Sequence, residues 1–467
     1  MRTGVHQWFG QRWQGLIGVS CTAVCLAASS AFALPWHVPD TDAHRDHAVS
    51  DAQRAADRHA DANHRATSSV GLCEPGWLAM FGGGPGVGNV VRAMAVFDDG
   101  TGDALYVGGD FVSAGGVSAN HIARWDGEEW SALGEGMSSF GFAAVTDLIV
   151  FDDGSGPALY AAGFFTEAGG EEANRIARWD GESWSPLGTG MDNAVQALAV
   201  FDDGSGPALY AGGWFDTAGG EHVNHIARWD GEQWSGGGTD SPVEALTVFD
   251  DGSGSVLVAG GAFLNAGDAS ASRIATWDGG QWSALGSGVS ATVDTLAAFD
   301  GGTGEALYAG GDFTMAGSQT VNFIARWDGS AWSDVDGGMD DRVRALTVFD
   351  AGPGDDPALH VGGFFATAGG VSANHIARWD GSGWSALGDG MNASVLALAE
   401  FDDGISGPGP ALFAGGAFTS AGNVGADRIA QWDGNEWSAL GADGEVLGPL
   451  NDEVHALITT DELSESG

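Results

Sequence analysis

The sequence predicts an all-β fold built from seven repeats, and two observations support this prediction. The tripeptide Trp-Asp-Gly occurs seven times at separations of 54, 50, 48, 50, 52 and 53 residues, and a period near 50 is typical of repeat architectures. Glycine is abundant, at 79 of 467 residues, and 43% of the residues are apolar, which suits short strands joined by tight turns. The copies begin at Trp125, Trp179, Trp229, Trp277, Trp327, Trp379 and Trp432.

The third repeat shows the four expected strands most clearly. Strand a is expected at Val195–Phe201, where apolar residues are nearly continuous, as in a strand covered on both faces. An Asp-Asp-Gly-Ser-Gly turn leads to strand b at Ala208–Ala211, because Asp and Gly accept the dihedrals of a tight turn. After a loop of about ten residues, strand c is expected at His225–Asp230, and strand d begins at Trp234.

A four-stranded unit of this kind cannot bury both of its faces alone. Seven units can do so by stacking radially, so the sequence predicts a seven-bladed β-propeller of four-stranded antiparallel blades. Two segments fall outside the seven units: Trp77–Gly82 is similar to strand d, and Val454–Ile458 is similar to strand a. These segments leave an eight-bladed or incompletely closed ring as the alternative.

The N-terminus is predicted to be an export signal. Arg2 and Arg12 precede an apolar run from Leu16 to Ala33, which ends in an Ala-x-Ala pattern typical of signal-peptide cleavage. An uncleaved membrane anchor is the alternative, but the small polar residues in the run favour cleavage, which would leave Cys73 as the sole cysteine. The predicted organisation is a signal peptide at 1–33, an Asp/His/Arg/Ala-rich linker at 34–72, the propeller at 73–445, and a closing strand with a tail at 446–467.

The charge of the chain excludes several classes of partner. The formal net charge is −46, and all 17 basic residues are arginine. Nucleic acids and anionic lipids bind proteins through cations that neutralise phosphate, so we predict no nucleic-acid partner. We also expect no membrane insertion after signal cleavage, and a monomer.

Paired aspartates in the turns between strands a and b are weak candidates for calcium ligands. Carboxylate oxygens are the ligands that calcium prefers, but two adjacent aspartates before a glycine are also explained by turn chemistry alone. We therefore predict no cofactor, with calcium as the alternative. These residues are Asp98, Asp99, Asp152, Asp153, Asp202, Asp203, Asp250, Asp251, Asp402 and Asp403.

The two tryptophans of each repeat could stack on sugar rings or anchor one blade to the next. Their presence in every unit favours anchoring, since a binding site normally breaks the symmetry of its repeats. The arginine of strand c is expected to pair with an aspartate of its own or a neighbouring blade. Four tyrosines share one position of strand b and are interpreted as core packing: Tyr106, Tyr160, Tyr210 and Tyr308.

The order of these motifs resembles the kelch repeat. An apolar strand, Leu209–Gly213 with its Gly-Gly end, Trp229–Gly231 and then Trp234 stand where kelch repeats place corresponding motifs. Trp-Asp-Gly instead of Tyr-Asp-Pro is a departure, and the repeat is more similar to those of fungal cell-cortex marker proteins and of exported bacterial proteins. The resemblance covers roughly residues 77–458. It implies the propeller fold and little about function.

No catalytic motif is found, so we predict no catalytic residues and a non-catalytic scaffold that binds a protein or glycan outside the cell. The binding face is expected to carry the b–c and d–a loops, such as Thr217–Val223 and Ser138–Ala144. One alternative is a polysaccharide hydrolase or lyase with carboxylates near the central channel, although Asp294 and Glu400 are taken as the only acidic residues in strands a. The other alternative is a structural envelope component.

Overall fold

The computed structural model describes residues 86–351, 356–402 and 409–440, all within one compact unit, Trp77–Gly467. Seven four-stranded antiparallel sheets follow one another along the described chain, and each has the strand order a, b, c, d. This confirms the predicted all-β fold of four-stranded blades. The predicted signal peptide, the linker and the two lone terminal strands lie outside the described residues.

Strand a begins at a valine in every blade, and strand b ends at a glycine, which follows another glycine in all blades except blade 2, where Ala162 precedes it. From blade 1 to blade 7, strand a spans Val91–Asp98, Val145–Asp152, Val195–Asp202, Val243–Asp250, Val293–Asp300, Val343–Phe349 and Val395–Phe401. Strand b spans Asp103–Gly109, Pro157–Gly163, Pro207–Gly213, Ser255–Gly261, Glu305–Gly311, Ala358–Gly363 and Ala411–Gly416.

Strand c ends at the tryptophan of Trp-Asp-Gly, and strand d begins at the second tryptophan of the repeat. Strand c spans Ile122–Trp125, Ile176–Trp179, Ile226–Trp229, Ile274–Trp277, Ile324–Trp327, Ile376–Trp379 and Ile429–Trp432. Strand d spans Trp130–Ala132, Trp184–Pro186, Trp234–Ser235, Trp282–Ala284, Trp332–Ser333, Trp384–Ala386 and Trp437–Ala439.

The expected strand bounds in blade 3 are wrong by one or two residues. Strand b extends from Pro207 through both glycines, and strand c begins at Ile226, because His225 has a positive φ of 68° that interrupts the strand. The b–c loop is also more regular than expected, since two-residue strands at Thr217–Ala218 and Glu221–His222 form a small hairpin.

Every blade carries such a b–c hairpin. The other six are Ser113–Ala114 with Val117–Ser118, Glu167–Ala168 with Glu171–Glu172, Asn265–Ala266 with Ala269–Ser270, Met315–Ala316 with Gln319–Thr320, Thr367–Ala368 with Val371–Ser372, and Ser420–Ala421 with Val424–Gly425. A further short strand, Met137–Ser138, pairs with the hairpin of blade 2. In blades 3 to 7 an isolated bridge ties the hairpin to the preceding d–a connection, and in blade 1 a bridge ties it to Val87, just before strand a. The b–c and d–a segments therefore share one face.

The inner strands form the centre of the ring. Strand a of each blade contacts strand a of the next, and strand a of blade 7 contacts strand a of blade 1. One hydrophobic cluster joins the first and last blades, with Met94 packed together with Phe401 and Phe413. The seven described blades therefore surround a central axis, with strands a nearest to it.

Candidate functional site

The tryptophans lie in the contacts between blades. In each blade the two rings are tilted against each other with centroids 5.0–5.4 Å apart, and they share a hydrophobic cluster with the preceding blade. In blades 2 to 7 the indole N–H of strand d donates to a backbone carbonyl in the preceding d–a connection, as Trp184 does to Leu133 at 3.1 Å. The contacts of these tryptophans are those of residues that anchor one blade to the next.

Blade 4 is the exception in burial. The indole N–H of Trp282 donates to the carbonyl of Gly237, whereas the acceptor residues in other connections have larger side chains, as at Leu133 and Leu285. Trp277 and Trp282 are consequently half-buried, whereas the Trp-Asp-Gly tryptophans of the other six blades are at most 9% exposed.

The aspartate of Trp-Asp-Gly closes the c–d turn. In all seven blades its Oδ1 accepts the backbone N–H groups two and three residues further along, as Asp230 does from Glu232 and Gln233 at 3.0 and 2.8 Å. These bonds hold the pKa of Asp230 below its usual value. The motif is thus a turn closed by its own aspartate.

The paired aspartates of the a–b turns also accept bonds from their own turns. Asp202 Oδ1 accepts the N–H groups of Gly204 and Gly206 at 2.8 and 2.9 Å, and Asp203 accepts the N–H of Ser205. Asp98, Asp99, Asp152, Asp153, Asp250 and Asp251 make corresponding bonds, whereas Asp403 lies outside the described residues and Asp402 is the last residue before that gap. Within the described ranges, no three His, Cys, Asp or Glu side chains are grouped as a metal site requires.

In blades 1 to 3 the second aspartate of the turn also binds a buried tyrosine and an arginine. Asp203 accepts the hydroxyl of Tyr210 at 3.0 Å and lies 2.9 Å from Arg228 Nε. Burial and the nearby carboxylate raise the pKa of Tyr210 to about 12. Blade 4 has Val258 and Thr276 in the places of the tyrosine and arginine, so this network is a structural feature of some blades only.

The two faces of the ring differ in their exposed apolar surface. All eight exposed large hydrophobic side chains of the described residues lie in b–c segments or in one d–a connection. They are Val112, Val117, Phe140, Phe142, Trp214, Leu264, Met315 and Val371. A cleft of about 400 Å³, lined by Asn120, Glu135 and Glu167 among others, opens among the same segments between blades 1 and 2.

The inner rim of this face carries chemically different residues in different blades. The second residue of strand a coincides with a register shift in every blade, and such bulges re-aim side chains. The residue after each strand b donates its backbone N–H to the carbonyl of the residue before strand a, which places it beside that bulge. We call these two positions and Phe142 the channel mouth. The bulge position holds Arg92, Thr146, Gln196, Glu244, Asp294, Arg344 and Leu396, and the second position holds Asp110, Phe164, Trp214, Ala262, Asp312, Phe364 and Ala417.

Aromatic rings form one half of the channel mouth. Arg92 makes an ion pair with Asp110 and lies 5.7 Å from the ring centroid of Phe142. Phe142 meets Phe164, and Phe164 meets Trp214 edge to face, each at 5.7 Å between centroids. Trp214 remains 42% exposed, so the row presents an indole at the rim.

Charged side chains form the other half. Glu244 accepts the indole N–H of Trp214 at 2.9 Å through Oε1 and the amide of Gln196 at 3.2 Å through Oε2. Two blades further on, Arg344 Nη1 lies 2.8 Å from Asp294 Oδ1. The contacts therefore extend along the rim from the aromatic half into the charged half.

Phe364 and its arginines complete the rim at blade 6. The guanidinium of Arg342 lies 4.9 Å from the centroid of Phe364, and that of Arg344 lies 5.8 Å from it. Arg342 Nε is 3.7 Å from Asp312 Oδ1. Blade 7 contributes only Leu396 and Ala417 at these two positions, so its sector of the rim has neither a charged nor an aromatic side chain there.

The carboxyl of Asp294 has an altered acidity. Its side chain is 10% exposed, and burial raises its pKa to about 7, with Asp312 and Glu244 adding to the rise while Arg344 and Arg342 oppose it. Carboxyls whose pKa is raised by burial are common at functional sites.

The expectation that strands a contain only Asp294 and Glu400 as acidic residues is wrong, because Asp147 and Glu244 also lie in them. Asp147 is buried between blades 2 and 3, where its oxygens accept the N–H groups of Leu148 and Leu198 at 2.8 and 2.6 Å. Glu244 belongs to the channel mouth. The signal available in the sequence was the variation at one strand-a position among otherwise similar repeats.

Comparisons with known proteins define no family for this chain. No family model matches it, and no curated protein matches it. Among solved structures, the extracellular domain of a protein described as a one-component system from B. thetaiotaomicron matches with a TM-score of 0.31 and 12% identity, over 75% of this chain and 41% of that one. An ancestral GH74 enzyme matches with a TM-score of 0.43 and 15% identity, over 71% of this chain and 44% of that one. The chain thus spans less than half the length of either.

Among the described residues there is no helix with the length and apolarity that a membrane span needs.

Proposed function

We propose that this protein is an exported, non-catalytic propeller that binds a protein or glycan partner through its b–c and d–a face. The observation that carries the proposal is the position of all eight exposed large hydrophobic side chains of the described residues on that face. Exposed apolar surface confined to one side of a rigid scaffold is typical of an interaction surface. The kelch-like relationship, the signal peptide and the monomeric state remain predictions from the sequence.

The pattern of repeat variation supports the same face. The c–d turns keep their Asp closure in all seven blades, whereas the channel mouth has arginine, carboxylate, amide and aromatic residues at equivalent positions. Structural needs repeat in every blade, while recognition of one ligand does not. The chemical variation at the channel mouth supports the b–c and d–a face as the recognition side.

A direct test uses the full chain on glycan arrays and against candidate extracellular proteins, with and without calcium. Val112 and Leu264, at 59% and 51% exposure, occupy a position where blade 5 has Thr314, so Val112→Thr with Leu264→Thr should preserve the fold. Binding of a retained partner should weaken at least tenfold in this double variant. Undiminished retention would place the interface elsewhere.

A polysaccharide hydrolase or lyase remains the second candidate because of one observation. Asp294, with its pKa near 7, lies in the same electrostatic cluster as Glu244, and carboxyls of unequal acidity serve as acid and base in glycoside cleavage. Incubation with a panel of polysaccharides tests this possibility. Turnover that disappears in Asp294→Asn would replace the binding proposal with an enzymatic one.

A further inference from the structure

The channel mouth contains hydrogen-bond acceptors that have no donor. Gln196 Oε1, Asp294 Oδ2 and Asp312 Oδ1 are buried atoms without a hydrogen bond. Asp312 Oδ1 has only the guanidinium of Arg342 at 3.7 Å, which is too far for a hydrogen bond. Buried acceptors are normally satisfied. Arg344 Nε is an unpaired buried donor at the same rim, so the three open acceptors outnumber the open donors.

The local charge is also incomplete. Glu244, Asp294 and Asp312 lie in one electrostatic cluster with two cations, Arg342 and Arg344. One carboxylate therefore has no matching cation when all three are ionised. The pKa of Asp294 is raised in part by repulsion from Asp312 and Glu244, and a ligand that brings a positive charge would offset this repulsion.

Aromatic rings at the same rim already accept cations. Phe142 has the guanidinium of Arg92 at its ring, and Phe364 has those of Arg342 and Arg344. Trp214 has no such neighbour among the described residues, although its indole is the best of the aromatic groups for this contact. Its N–H is held by Glu244, which fixes the ring beside a carboxylate.

We infer that the channel mouth binds a guanidinium or ammonium side chain from a basic polypeptide segment of the partner, between Trp214, Glu244 and Asp294. This inference rests on the proposed function of the b–c and d–a face and names its ligand. A cation there supplies donors to the spare acceptors, balances the carboxylate and stacks on the indole. The net charge of −46 also attracts basic chains over a distance. A neutral glycan would supply donors but no charge.

The experiment measures binding of a tetra-arginine peptide, carrying an uncharged dye, to the full chain by fluorescence anisotropy. Trp214→Ala and Glu244→Gln introduce residues that other blades hold at the equivalent positions, Ala262 and Gln196. Each variant should weaken binding about tenfold, with an unchanged melting temperature as the check on folding. Asp294→Asn, an isosteric change, should weaken binding by a similar factor.

A matched control separates site binding from diffuse attraction. Glu182 and Glu232 are exposed in c–d turns on the opposite face, so Glu182→Gln with Glu232→Gln removes two charges without touching the rim. This control should change the affinity less than twofold. Equal weakening by control and rim variants, or no measurable peptide binding, would overturn the inference.

A neutral oligosaccharide panel distinguishes this failure from that of the proposed function. One outcome is that an oligosaccharide binds and Trp214→Ala abolishes its binding, while the rim variants leave tetra-arginine binding unchanged. That outcome would support the b–c and d–a face as the binding surface and contradict a cationic ligand. If a partner binds in full to the Val112→Thr/Leu264→Thr variant and to the rim variants, the proposed function fails as well.

Discussion

Replacing Asp147 with alanine should change the pH dependence of stability in a defined direction. Alanine occupies this strand-a position in five other blades, as at Ala197 and Ala245, so the change is compatible with the blade. Asp147 is 4% exposed, and burial raises its pKa to about 8 although both oxygens accept backbone N–H groups. In an unfolded chain the same carboxyl titrates near 3.8.

The sign follows from proton binding. Between pH 4 and pH 8 the folded state retains a proton that the unfolded state has lost, so Asp147 lowers the free energy of unfolding progressively as pH rises through this window. At about 1.36 kcal/mol per pH unit, the wild type should lose about 4 kcal/mol relative to Asp147→Ala between pH 5 and pH 8. Above pH 8 the difference should level off.

Urea denaturation of both proteins at several pH values measures this difference. Thr295 occupies the same strand position in blade 5, and Thr295→Ala serves as a control in which no titrating group is removed. The difference in the free energy of unfolding between Thr295→Ala and the wild type should be the same at every pH. A difference between wild type and Asp147→Ala that stays constant within about 1 kcal/mol from pH 5 to pH 8 would refute the argument from burial.

Three further predictions concern the blades and their turns. Trp384→Phe removes the 2.9 Å bond from the indole to the carbonyl of Val335 and should lower the free energy of unfolding by about 1–3 kcal/mol in a urea titration; an unchanged midpoint would contradict the anchoring role. Tyr210→Phe removes the hydroxyl bond to Asp203 and should cost about 1 kcal/mol in the same assay, less than Trp384→Phe, because blade 7 already has Phe413 there. Chelation with EDTA should leave the melting temperature unchanged, because in the described a–b turns backbone N–H groups of the turn already donate hydrogen bonds to the aspartates. A fall of several degrees would instead support calcium binding.

The strands of the blade could largely be predicted because the same sequence pattern recurs in every repeat. The apolar run of strand a, the Gly-Gly end of strand b and the Trp-Asp-Gly of strand c recur, so each copy supports the assignment of the others. The bounds failed at His225, whose positive φ is set by contacts of the b–c hairpin. Local propensity at a histidine does not predict that conformation.

The channel mouth was not predicted because its residues come from different blades. A search for polar pairs within one strand a overlooks Glu244 and Asp294, which are single residues at equivalent positions of neighbouring blades. The register shift that re-aims them depends on pairing with strand b and leaves no sequence motif. Variation at an aligned repeat position was the usable signal.

The spacing of the repeats does indicate that the d–a connection between blades 1 and 2 is longer than the next one. The 54-residue separation contains a d–a connection in which seven residues separate Met137 from Val145, whereas three separate Met191 from Val195. The additional residues include Phe140, which is fully exposed, and Phe142. The role of residues 138–144 in binding stays a prediction. The contacts of Phe142 with Arg92 and Phe164 are visible only in the structure.

Hydrogen–deuterium exchange on the full chain with and without bound tetra-arginine tests the central claim that the b–c and d–a face is the recognition surface. The predicted result is slower exchange at residues 138–144 and 213–217 and at the starts of strands a in blades 4 and 5. Unchanged exchange there, with protection confined to the a–b and c–d turns of the opposite face, would contradict it.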